Sequence, residues 1–217
     1  MSHLPLQLPE EVAARLRRAI DREGKILRAL EALGPLADRD VVVLGASDRE
    51  LEQYAAAGAR VTPLPGDAAP WSLPSESADT VVSAWSGFRG VDPATIGEAD
   101  RVLRPDGRLL VVHDYGRDDV SRLRGDLPEY GPWSRREGPF LAAGFRIRVI
   151  HSFWTFDAID DAQSFLIGAF GEAGRVLGED LRRPRLSYNV AIYHRTRGAP
   201  PTAYAVHGAG APVRGVA

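Results

Sequence analysis

The sequence predicts an α/β protein: a doubly wound, mostly parallel sheet that closes on an antiparallel C-terminal strand pair. Three observations predict it. Short, wholly apolar runs such as "DVVVL" (40–44) are of the kind buried on both faces of a parallel sheet. These runs alternate with helical segments, as crossover connections require. The later runs "FRIRVIH" (145–151) and "LSYNVAIYH" (186–194) suit two strands paired at one sheet edge, the first alternating apolar and polar.

The elements follow in order. Val12, Leu16 and Ile20, then Leu27 and Leu30, predict one helix over 10–33, with Gly24 weakening its middle. After "DVVVL", a helix over 48–57 and a strand "ARVTPL" are expected, then the loop "GDAAPWSLPSES" and a third strand, "ADTVVSAW". Asp92 and Pro93 form an N-cap and N1 pair opening a helix with Ile96, Ala99 and Leu103 on one face. In "RPDG", Pro105 pre-sets φ and Gly107 is expected to take the positive one before the strand "RLLVVH". Residues 159–178 read as helix despite Gly168, Gly171 and Gly174. A single domain over 1–197 is expected, followed by a disordered Gly/Ala/Pro tail over 198–217.

Composition narrows the function classes. The 217 residues suffice for a sizeable core. A net charge of −2 and a pI near 6.2 give no footprint for nucleic acid or an anionic membrane. The absence of Cys excludes disulfides, thiolate zinc sites and Cys nucleophiles. The N-terminus lacks a signal-peptide pattern and no apolar run approaches the length of a span, so a cytoplasmic location is expected. The five His residues (3, 113, 151, 194, 207) show no metal spacing.

"ADTVVSAW", followed by a helix ending in "ADRVLRPDGRLLVVH", resembles the second half of class I S-adenosylmethionine-dependent methyltransferases. The upstream "GDAAPWSLPSESAD" is similar to their GDA segment, and the likeness runs from about Val41 to His113. The resemblance implies a seven-stranded sheet, S-adenosylmethionine as cofactor, Asp67 with Ala68 at the adenine amino group, and Ala84 and Trp85 bordering the cofactor. Two departures stand out. The first turn, "VLGASDRE", keeps only Gly45 of the family's glycines, and "ARVTPLPGDA" runs directly from the second strand to the GDA turn, as if an αβ unit were missing.

The first turn discriminates among cofactors. Ser47 and Glu50 predict a capping box, with Asp48 adding charge to the same helix end. That end would repel a pyrophosphate, so NAD, FAD and ATP are disfavoured. A ligand carrying an ammonium and a sulfonium is tolerated. Gly45, Ala46 and Ser47 are then expected beside its methionine part; otherwise Gly45 merely permits a tight turn.

Other side chains gather at the same predicted strand ends. His113 could take a proton from a hydroxyl or amine acceptor, or simply bond a loop. Asp114, Tyr115 and Phe88 are expected to line the acceptor site, and Trp85 or Phe88 to stack on an aromatic ring or fill the core. Ser86 fails the nucleophile-elbow pattern at both glycines. Trp133, Phe153, Trp154 and Phe156 could form a lid or pack inside, and "RRPR" (182–185) reads as a solvated turn or a contact for an acidic partner. The expected function is methyl transfer to a small-molecule acceptor. The alternative is an inactive methyltransferase-like binding or assembly module. Under either reading a homodimer could cover an exposed flank of the shortened sheet. A hydride-transferring dehydrogenase is disfavoured by the capping box.

Overall fold

A computed structural model describes residues 4–66, 70–89, 91–125 and 127–201. A six-stranded sheet has the order β2-β1-β3-β4-β6-β5. The strands are β1 (Asp40–Leu44), β2 (Arg60–Leu64), β3 (Ala78–Ala84), β4 (Leu103–Asp114), β5 (Arg146–Thr155) and β6 (Arg185–Thr196). β1 pairs in parallel with β2 and β3, and β3 with β4. β6 runs antiparallel to both β4 and β5, so the expected C-terminal pair forms. The strand count is six rather than the seven the resemblance implied, because the chain passes from β2 to β3 without an intervening αβ unit. β2 is therefore an edge, where Pro63 is tolerated because no outer neighbour needs its amide.

Both faces of the sheet are covered. On one lie α1 (Glu10–Ala19), α2 (Lys25–Leu33), α3 (Asp48–Ala56), α5 (Asp119–Arg124) and α7 (Ile159–Glu179), packed on Val41, Val43, Val82, Leu110 and Val112. On the other, α4 (Pro93–Val102) and the short α6 (Pro139–Ala142) pack on Val42, Val81, Leu109 and Val111. The period of two along each strand thus fills two separate cores.

Several local expectations need correction. The N-terminal helix is two helices, broken at Asp21 (φ 48) and Gly24 (φ 65). Asp21 causes the break: its carboxylate accepts from the amides of Lys25 (3.0 Å) and Ile26 (2.7 Å), and from the Ser152 hydroxyl (2.9 Å). The preceding Ile20 bridges to Trp154 of β5. In "RPDG" the left-handed residue is Asp106 (φ 63), not Gly107. Gly107 is needed instead for space, since a Cβ there would meet the Arg104 carbonyl at 2.8 Å. Leu103 opens β4 rather than ending α4, and α7 reaches Glu179 with non-helical backbone at Gly171. The tail from Thr202 lies outside the described residues.

The amino end of the sheet is stitched by charge. Arg104 reaches Asp40 of β1 (2.8 Å) and Asp79 of β3 (3.0 Å), and Arg60 of β2 reaches Asp40 (2.7 Å). No described helix is long and apolar enough to cross a membrane.

Candidate active site

The carboxyl ends of β1 and β3 open into a cleft of about 700 Å3 on the α1/α2 face. Its floor comes from the first turns of α3, its side wall from Ala84 and Trp85, and its roof from α1 and α2. Of the residues predicted to hold a cofactor, Ala46, Ser47, Ala84 and Trp85 line this space. Gly45 serves the turn: it is left-handed (φ 65), and its amide donates to the Leu64 carbonyl at 2.6 Å. Asp67 and Ala68 lie outside the described residues.

Ser47 and Glu50 close the predicted capping box. Glu50 Oε2 accepts from the Ser47 amide (2.9 Å) and hydroxyl (2.7 Å). Burial pushes the Glu50 carboxyl above its ordinary range, although the Ser47 bonds and Arg17 pull it back. The cleft therefore presents a desolvated carboxylate beside its floor. Arg17, Arg18, Arg22 and Arg49 stand around the same cleft. Arg17 pairs with Glu10, and Arg22 with Asp157 at 2.6 Å.

Trp85 is held in a left-handed conformation (φ 49), which is unusual for a bulky residue and marks local strain. Three contacts hold it there. Its amide donates to the Val112 carbonyl (2.9 Å), its indole N–H donates to Asp114 Oδ1 (2.9 Å), and its ring stacks on Tyr188 at 6.4 Å. Asp114 is the hub behind this wall. It is 3% exposed and also accepts from Tyr188, from Arg124 and, at 3.4 Å, from Tyr130. With its oxygens so occupied, Asp114 supports the wall rather than meeting an acceptor, contrary to expectation.

His113 points to the other face. It is fully buried, with its ring 5.0 Å from Trp133 and 6.1 Å from Phe140. Nε2 meets the Gly87 carbonyl at 3.2 Å, while Nδ1 has no partner among the described residues. Desolvation, aided by Arg89, lowers its pKa to about 3. His113 lies on the opposite face of the sheet from the cleft and is not among the cleft's lining residues. Phe88 and Tyr115 pack on that second face as well, so the predicted acceptor-lining trio is split. Trp133, Trp154 and Phe156 are core residues rather than a lid, and Phe153 lies under Arg185 at 4.4 Å.

Ser86 has a structural task instead of a catalytic one. Its hydroxyl donates to the Leu44 carbonyl (2.9 Å) and lies 3.0 Å from the Ser83 hydroxyl, which accepts from the Gly87 amide. A Cβ on Gly66 would come within 2.9 Å of Ser86 Cβ. Among the described residues, Ser86 and Gly66 thus close the gap between β1 and β3. Among the described residues no three His, Asp or Glu converge as a metal site would require.

Sequence reasoning missed Tyr188 and Arg124, the roof arginines, and Glu50 as a cleft carboxylate. The capping box pointed to Glu50. Tyr188 is 74 positions from Asp114, and no local pattern could join them.

The sequence matches no protein-family profile, and no curated protein matches it. Solved structures do. A candidate methyltransferase from an antibiotic biosynthesis pathway of Anabaena variabilis has 15% identity and a TM-score of 0.50, over 83% of this chain and 99% of that one. A candidate type II methyltransferase from Anaeromyxobacter dehalogenans has 15% identity and a TM-score of 0.48, over 82% and 96%. At such identities the likeness concerns architecture. The chain has the Rossmann-like fold of the methyltransferases, with a six-stranded, mostly parallel sheet and an antiparallel C-terminal pair.

Proposed function

We propose that this protein is an S-adenosylmethionine-dependent methyltransferase acting on a small-molecule acceptor. The observation that carries the reading is the cleft of about 700 Å3 beside the first turn, floored by Ser47 and Glu50 and walled by Trp85. A site of several hundred cubic ångströms accommodates a cofactor-sized ligand. The donor set fits this cofactor: a half-buried carboxylate suits an ammonium, and an aromatic wall suits a sulfonium through cation–π attraction. A pyrophosphate would meet Asp48 and Glu50 at the same helix end, which favours a phosphate-free cofactor.

When bound, S-adenosylmethionine supplies an electrophilic methyl group. The chain's own part is to bind and orient. Glu50 would hold the ammonium, Ser47 would fix the Glu50 oxygen, and Asp114 would hold the Trp85 indole in place. The apolar roof residues Leu27 and Leu30 would exclude water from the acceptor. Positioning supplies most of the rate enhancement in this scheme, and no buried histidine is required as a base.

Calorimetry with S-adenosylhomocysteine tests the reading. Micromolar binding to the wild type, weakened about 100-fold in Glu50→Gln and Trp85→Ala, is expected for a partly desolvated charged contact and an aromatic wall. Absence of heat at millimolar ligand overturns the reading. It would favour the binding or assembly module, a view supported by the closed gap between β1 and β3 and by the shortened sheet.

A further inference from the structure

A second concentration of charge lies away from the cleft, at the amino end of β4 and along β5. In the sheet register Arg146 sits directly opposite His194, and Arg108 and Arg148 pair with Thr196 and Ile192, two residues to either side of His194 on β6. All four fall on the face that carries Leu110. Several arginines elsewhere in the molecule pair with carboxylates, as Arg104, Arg124 and Arg195 do. Among the described residues Arg28, Arg108, Arg146 and Arg148 have no such pair, and Arg108 bonds only the Thr196 hydroxyl.

The cluster adjoins a groove of about 320 Å3 between α2 and β5, lined by Lys25, Arg28, Arg148 and His151 above Ala29 and Ile150. Two acids adjoin it: Glu23, half exposed, pairs with Lys25 at 2.8 Å, and Asp21 is occupied by the Lys25 and Ile26 amides and the Ser152 hydroxyl. Arg146 and Arg148 lie roughly 7 Å apart on this face at about 3.3 Å per residue, a spacing that neighbouring phosphate groups can bridge. Guanidinium groups match the oxygens of a phosphate in paired hydrogen bonds. His194, facing Arg146, Arg148 and Arg108, is depressed by burial and then by those three cations, and an anion among them would relieve the second cause.

We propose that this groove and the adjoining strand face bind a phosphate oxyanion, carried by a ligand with more than one phosphate group. The site is separate from the cleft, with α2 between them, and does not depend on the methyltransferase reading.

The test is titration at low ionic strength with sodium tripolyphosphate, inorganic phosphate and a short single-stranded oligonucleotide, followed by calorimetry and by His194 ring resonances. Tripolyphosphate is expected to bind and to raise the His194 pKa. The doubly reversed variant Arg146→Glu/Arg148→Glu, both at exposed positions, should weaken binding at least 10-fold with an unchanged circular dichroism spectrum. Arg182→Glu/Arg183→Glu makes the same change in net charge elsewhere and should leave binding intact. Preference for tripolyphosphate over the oligonucleotide identifies a small phosphorylated ligand, and the reverse identifies a nucleic-acid backbone; either upholds an oxyanion site. No binding of any probe at 10 mM, or equal weakening by the two double variants, overturns the proposal.

Discussion

Two consecutive residues at the end of β4 live in opposite worlds. Asp114 lies on the cleft face and accepts from Trp85, Tyr188, Arg124 and Tyr130. His113 lies on the other face, among Trp133 and Phe140, with one ring nitrogen unpartnered among the described residues. The strand's alternation alone separates them. A carboxylate saturated by donors can hold a cleft wall rigid, whereas a desolvated imidazole can only stay neutral. The position of a polar residue at a strand end therefore says little about its role until its face is known.

The comparison breaks most sharply at Asp114. Asp114→Ala would leave Arg124, whose side chain is only 12% exposed, without its carboxylate. A loss of about 3–5 kcal/mol is expected for removing one partner of a buried pair, read from urea unfolding. Trp85 fluorescence should change as its indole loses its acceptor.

The next test is acid. The folded pKa of His113, about 3, lies below its ordinary 6.5, so the unfolded chain binds the extra proton first. Its contribution to stability is intact above pH 6.5 and is lost as pH falls towards 3, a span worth several kcal/mol. His113→Leu should flatten that part of the urea midpoint against pH. It should also leave S-adenosylhomocysteine affinity unchanged; a large loss of affinity would restore His113 to the site.

A smaller effect of the opposite sign is expected at Glu50. Its raised pKa means that its desolvation opposes folding once pH exceeds the usual glutamate range. Glu50→Gln keeps an oxygen for the Ser47 amide, so stability at pH 7 should be unchanged or higher by up to about 1 kcal/mol while ligand affinity falls. Least of all, Arg104→Ala should cost about 1 kcal/mol or less, because its partners are partly solvated and screened. High salt should erase that difference but not the one at Asp114.

Much of the architecture was legible because it is local. β1, β3 and the Asp92–Pro93 helix start follow from runs and caps that need only their neighbours, and the Asp92 carboxylate does accept from the Thr95 amide at 2.8 Å. The break at Asp21 was not legible, since the aspartate is also tied to Ser152, 131 positions away. Asp106 took the left-handed place expected of Gly107 because an Asp tolerates that conformation, while only a glycine fits against the Arg104 carbonyl. The site was half legible. Ala46, Ser47, Ala84 and Trp85 could be placed from strand ends, but which face of β4 meets the cleft depends on where α1 and α2 pack.

Asp21 has one more implication. By fastening the start of α2 to β5 it makes the ceiling above the cleft a riveted plate rather than a swinging door. A ligand then meets a preorganised site and need not supply free energy to order its walls. Association should accordingly proceed in a single phase whose rate rises linearly with concentration, without a slow closing step.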